Sequence, residues 1–258
     1  MILSKPNQIK IYGHRGARGD LPENTLESFK YLFDNDINAY ETDILITKDL
    51  IPVITHDFRL DPSFTKDEDG NWINDENIKI FDLKYDEISK FDVGSLNKLT
   101  RYGRRFINQR SLKNQKIPKL SELLELSSKN LFQDLLINLE IKSTPDEKNL
   151  TPDPQELVQI VLKDINNSNL KDKIIISSFD WRILREIKKQ SPEIHRAYLT
   201  FQQEKGMKIK KTIYSKSPWI DHIPLTIVYD LPKIIKELGG SAWHPYFKDI
   251  NKKAVEDA

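Results

Sequence analysis

Short apolar runs alternate along this chain with stretches in which apolar residues recur every three or four positions. Ile9 and Ile11 alternate with polar neighbours and lead into Gly13, which predicts a strand ending at His14. Leu26, Phe29 and Phe33 lie at helical spacing behind Asn24, the expected N-cap, with Glu27 three residues on. Strands are predicted over 39–47 and 51–55, separated by a tight turn at Lys48-Asp49, with Pro52 tolerable near the start of the second. From 57 to about 116 the rhythm breaks at Asp61-Pro62, Asp69-Gly70, Gly94 and Gly103, and this stretch reads as an insertion of small hairpins and short helical turns.

Alternation then resumes. A helix over 120–128, with Ser121 as a plausible cap behind Pro118, precedes a strand over 135–141 and a helix from Thr151 or Asp153 to Asn166. Strands over 173–177, 194–199 and 241–243 follow, with helices over 180–190 and 231–238 and a last helix starting near Asn251. Strands separated by helices at this spacing make parallel βαβ units, the grammar of an α/β barrel or a doubly wound sheet. The pattern favours one barrel domain over 1–258 of the TIM (β/α)8 type, with the insertion after strand 3, and with only seven strand candidates it stops before strand 8.

Composition narrows the partners. Over 258 residues the formal net charge is +1, so no global field favours nucleic acid or a membrane surface. There is no cysteine, which excludes thiol catalysis, disulfides and zinc–thiolate centres. No transmembrane segment of about 18 apolar residues is present, and Met1 to Lys10 is too polar for a secretory signal. As written the chain is expected in the cytoplasm, and in the periplasm or outside the cell if its N-terminus is trimmed.

The candidate chemistry gathers at strand ends. Glu41 and Asp43 share one face of their strand, as do Glu140 and Lys142, while His14 and His56 each end a strand. Barrel enzymes place their sites at the C-terminal ends of parallel strands. Three carboxylates without a thiolate suit a hard divalent cation, Mg²⁺ or Ca²⁺. Two histidines suit a general acid and base, and Arg15 and Lys142 would neutralise a phosphate. A hard cation, two cationic side chains and an acid/base pair favour phosphoryl chemistry.

His14-Arg15-Gly16, Pro22-Glu23-Asn24-Thr25, Glu41-Thr42-Asp43, Thr47-Lys48-Asp49, His56-Asp57, Asn138-Leu139-Glu140-Ile141-Lys142 and Ser177-Ser178-Phe179-Asp180 together resemble the glycerophosphodiester phosphodiesterase family. The resemblance implies a TIM barrel that hydrolyses glycerophosphodiesters to glycerol 3-phosphate and an alcohol through a cyclic phosphate, the neighbouring glycerol hydroxyl serving as nucleophile. It implies a divalent cation on Glu41, Asp43 and Glu140, an acid/base pair of His14 and His56, and phosphate contacts from Arg15 and Lys142. Phe179 and Trp243 are expected in the pocket wall, His244 in a wall or packing role, and Asn24 as a cap before any role at the site. Members of the family normally continue through an eighth strand, so unpaired edges and self-association are expected here. A lysophospholipase D or sphingomyelinase D-like lipid phosphodiesterase, and an inactive phosphodiester-binding barrel, are the alternatives. Thr65 to Glu76 has the spacing of a calcium-binding loop but reads better as a hairpin turn at Asp69-Gly70.

Overall fold

A computed structural model describes residues 9–130, 132, 134–204, 210–225 and 230–256; the N-terminal stretch before Ile9 and the lysines Lys205 and Lys208 lie outside them. In chain order the elements are β1 (Gly13–His14), α1 (Leu26–Asp34), β2 (Ala39–Ile46), β3 (Pro52–Ile54), α2 (Tyr85–Ile88), α3 (Arg101–Arg105), α4 (Leu120–Lys129), β4 (Leu136–Ile141), α5 (Pro154–Asn167), β5 (Ile174–Ser178), α6 (Trp181–Gln190), β6 (His195–Thr200), α7 (Leu231–Glu237), β7 (Ala242–Pro245) and α8 (Lys252–Glu256).

The sheet runs β1-β2-β4-β5-β6-β7, every neighbour parallel. Helices cover its outer face, in an open barrel of the TIM type. Among the described residues β1 and β7 are its two edges. One strand departs from expectation. β3 is not a barrel strand: it pairs antiparallel with the end of β2, Ile44 opposite Ile54 and Ile46 opposite Pro52. The turn from Thr47 to Ile51 is far too short for a parallel crossover, which needs a dozen or more residues, so only a hairpin closes it. β4 takes the place beside β2 instead.

Pairing register fixes which side chains enter the barrel. Ala39 is level with Leu136 and Ala197 with Ala242, and these four share the inward parity with Ile175 and pack with it as one interior cluster. Alternate residues (Tyr40, Ile137, Leu139, Ile174, Ile176, Tyr198) point outward against Phe29, Leu32, Leu123, Val161, Leu184 and Ile187 from the helices. The helix starts differ from the expected caps in two places. Thr25, not Asn24, caps α1, its hydroxyl accepting from Ser28 N. α4 starts after Lys119, whose amide donates to the Glu122 carboxylate, and Ser121 lies inside the helix. Asp153 and Asp180 cap α5 and α6 through their carboxylates.

Residues 57–116 build a second apolar cluster in which Leu60, Ile73, Ile80, Ile88 and Val93 pack on Leu45, Val53 and Ile117. The Asp69-Gly70 turn lies between Lys66 and Trp72, which pair antiparallel, and the Asp67 carboxylate accepts from the amides of Asp69 and Asn71. Among the described residues no helix is long and apolar enough to cross a membrane.

Ala197 is fully buried in the interior layer. Ala197→Leu is therefore expected to overpack it and cost about 1–3 kcal/mol, read as a lower urea midpoint. An unchanged midpoint would argue against a filled interior.

Candidate active site

The site begins in a strained turn after β1. Arg15 has φ 56°, Gly16 76° and Asn24 55°, all in the left-handed region. At Gly16 a Cβ would sit 2.5 Å from Ser28 Oγ and 3.2 Å from backbone, so only glycine fits. β2 holds the turn in place: Arg15 N donates to Glu41 O at 2.9 Å, and Asn24 N donates to Arg15 O at 2.9 Å.

Parallel pairing puts Asp43 level with Glu140, and Glu41 level with Asn138. The carboxylates of Glu41, Asp43 and Glu140 each offer an oxygen within 4.8 Å of the others. Lys142 Nζ lies 3.0 Å from Asp43 Oδ1 and 2.5 Å from Glu140 Oε1, and Arg15 Nε lies 3.3 Å from Asp43 Oδ2. Burial alone would raise Asp43, but Lys142 and Arg15 outweigh it and hold its carboxyl well below the usual range. Glu41 goes the other way: burial first, then Asp43 and Glu140, push it well above that range. Lys142 is held charged, the two carboxylates overcoming the burial that would lower it.

The two histidines flank this network. His14 Nε2 is 3.4 Å from Glu41 Oε2, and its Nδ1 faces Arg18 Nη2 at 2.7 Å. Burial, then the guanidiniums of Arg18 and Arg15, lower its pKa to about 3 although the ring is half-exposed. His56 Nδ1 pairs with Asp57 Oδ1 at 2.8 Å. His56 lines a cavity of about 210 Å³ with Phe58, Glu140, Lys142, Phe179 and Trp219. His14 opens instead onto a neighbouring groove walled by Arg18 and Phe106.

Thus His14, Arg15, Glu41, Asp43, Glu140 and Lys142 meet in one network, and His56 and Phe179 line the adjoining cavity. Trp243 does not join them. It is level with Tyr198 on the outward face, packs on the helix-side core and donates its indole N–H to Thr200 Oγ1 at 2.9 Å. His244, one residue on, has the inward parity. Asn24 is no cap. Its Nδ2 donates to Asp43 Oδ2 at 3.0 Å and its Oδ1 accepts from the Thr42 hydroxyl, so it orients a site carboxylate. Trp219, from a 3₁₀ turn in a region without periodicity, carried no signal in the sequence.

The donor set fits a hard cation. Two charged side chains inside the network, Arg15 and Lys142, face three carboxylates, and the crowding shows in Glu41's raised pKa. The Asn138 Oδ1, on the strand neighbouring Glu41, is a buried oxygen with no hydrogen-bond partner among the described residues.

A barrel with this site at its strand ends defines a phosphodiesterase class. The chain belongs to the glycerophosphoryl diester phosphodiesterase family, whose model matches residues 14–218. The chain is 32% identical over 184 residues to a glycerophosphodiester phosphodiesterase of Caldanaerobacter subterraneus, covering 71% of this chain and 63% of that protein. A solved structure from Silicibacter pomeroyi, assigned to the glycerophosphoryl diester phosphodiesterases, is 33% identical with a TM-score of 0.85 and covers all of this chain and 81% of that one. An Oleispira antarctica phosphodiesterase, solved with the product sn-glycerol-3-phosphate, shares the fold at 23% identity and a TM-score of 0.67, over 96% of this chain and 79% of that one.

Glu41's raised pKa sets a test. A carboxyl raised on folding stabilises below its unfolded value and loses that contribution as pH climbs through the folded value. In EDTA the melting temperature is expected to fall as pH rises from about 4.3, the unfolded glutamate value. Asp43, held low, acts only in the more acidic range. Glu41→Gln should flatten the slope and raise the melting temperature at neutral pH; an unaltered slope would contradict the crowding.

Proposed function

We propose that the protein hydrolyses glycerophosphodiesters to sn-glycerol 3-phosphate and an alcohol, using a divalent cation, Mg²⁺ or Ca²⁺, held by Glu41, Asp43 and Glu140. The observation that carries this reading is the single network joining three carboxylates to Arg15 and Lys142 between two histidines. Membership of the family supports it, as does the sn-glycerol-3-phosphate in the Oleispira neighbour.

In this reading Arg15 and Lys142 take the charge of the non-bridging phosphate oxygens. His56, its Nδ1 tied to Asp57, uses Nε2 to accept the proton of the substrate's own glycerol hydroxyl as that oxygen attacks phosphorus. With Nδ1 turned to Arg18, His14 keeps its proton at Nε2, the donor toward the departing alkoxide. The bond formed is oxygen to phosphorus and the bond broken is phosphorus to the leaving alcohol, so a cyclic phosphate results, which water opens with the proton movements reversed. A divalent cation held by Glu41, Asp43 and Glu140 would supply Lewis-acid charge to this chemistry. No protein nucleophile is needed. Residues 57–116 form a subdomain of this one barrel domain.

The aromatic wall of Phe58, Phe179 and Trp219 also favours a second reading, a lysophospholipase D-like activity with the lipid's apolar part near that wall.

Incubation with glycerophosphocholine and with lysophosphatidylcholine separates the readings. Release of sn-glycerol 3-phosphate from the first is expected, lost in EDTA and restored by Mg²⁺ or Ca²⁺. Turnover of lysophosphatidylcholine alone would favour the second reading, and turnover of neither would overturn both. His14→Ala and His56→Ala are each expected to lower kcat about 10²–10⁴-fold with the melting temperature kept. Near-normal rates in either variant would overturn that histidine's role.

A further inference from the structure

Arg15 is held from a direction that the catalytic network does not explain. Its Nη1 donates to Glu23 Oε1 at 2.9 Å, and the other Glu23 oxygen accepts from the Tyr102 hydroxyl. Glu23 is buried and Arg15 nearly so, with side chains 6% and 12% exposed. Tyr102 belongs to α3, in the segment after β3, and stands 79 positions away from Glu23. Its ring is set between Phe64 and Phe106, at centroid distances of 5.9 and 5.5 Å, so the hydroxyl has little freedom to leave Glu23.

The same segment grips the turn at three further points. Gln109 Nε2 donates to Arg18 O at 2.8 Å, Arg110 N donates to Asp20 O at 2.9 Å, and the Arg18 guanidinium lies 5.1 Å from the centre of the Phe106 ring. The docking is therefore continuous from Arg15 to Glu23. A guanidinium binds phosphate well only when its fork of donors is already aimed. Asp43 faces Arg15 Nε as an ion pair at 3.3 Å, while Glu23 accepts the hydrogen bond from Nη1 that fixes the fork. A carboxylate with one oxygen on arginine and one on a phenol cannot rotate without breaking both bonds.

We propose that Tyr102 is a positioning residue that acts through Glu23 to aim Arg15, so that the 57–116 segment pre-organises the phosphate-binding arginine. The proposal rests on Arg15 binding the substrate's phosphate, as in the proposed function, and needs no particular alcohol.

Its test is a double-mutant cycle read by calorimetric titration of inorganic phosphate into the full chain with Mg²⁺, using wild type, Tyr102→Phe, Arg15→Lys and the double variant. Tyr102→Phe removes one hydroxyl and keeps the ring contacts, so the melting temperature should fall by no more than about 2–4 °C. Phosphate affinity is expected to fall about tenfold (about 1.4 kcal/mol) in the wild-type background and less than twofold in the Arg15→Lys background, because the phenol works only through that arginine. Glu23→Gln should repeat the pattern. An unchanged affinity in Tyr102→Phe, an equal loss in both backgrounds, or no phosphate binding by wild type would overturn the proposal. Turnover of glycerophosphocholine is read separately: its absence, with the cycle intact, would remove the proposed reaction and leave the positioning role standing.

Discussion

Everything at this site depends on buried charge being balanced over a few ångströms of strand. β2 carries two carboxylates toward the barrel mouth and β4 brings a third level with Asp43. Taking such groups out of water is tolerable only if cations or a metal face them. The chain supplies one cation from β4's own continuation, Lys142, and one from the turn after β1, Arg15. Asp43 lies between the two and has its charge balanced by both, whereas Glu41 sits where its charged form is disfavoured. The asymmetry gives the two carboxylates of β2 opposite electrostatic characters before any substrate arrives.

The strain in the first turn follows from the same balance. Arg15 can reach Asp43 because its backbone adopts a left-handed conformation, held by hydrogen bonds to Glu41 and Asn24. Asn24 takes the same conformation and turns its amide inward. Left-handed non-glycine residues carry a conformational cost and persist where surrounding contacts over-determine them. Here the contacts come from β2, from α1 through Ser28 Oγ on Ala17 N, and from the segment beyond β3.

Most of the candidate site's layout was legible in the sequence because it lies in short local patterns: a strand brings residues two apart to one face without help from distant chain. Legibility fell where tertiary register decided. Asn24 and Thr25 are both good caps, and only the backbone angle at Asn24 separates the one that caps from the one that serves Asp43. Trp243 is the larger aromatic, but its pairing with Tyr198 turns it outward and leaves His244 facing in. The direction of β3 was in fact readable from the length of the Thr47–Ile51 turn, against the habit of βαβ counting. The Tyr102–Glu23 contact joins residues far apart in sequence with no shared periodicity, and only the folded chain brings them together.

The hairpin of β2 and β3 has one more consequence, for how this chain can change length. β3 carries the chain back along β2 until Thr55 N meets Asp43 O at 3.1 Å, and the next residue is His56. The histidine's depth in the mouth is thus set by the number of residues in an exposed turn. Adding or removing one there would slide the return strand by about 3.3 Å and flip its faces, sending His56 away from the cavity. Surface turns are ordinarily where proteins accept insertions and deletions most freely. This one acts as a ruler, and its length is bound to the chemistry as tightly as the residues that it delivers.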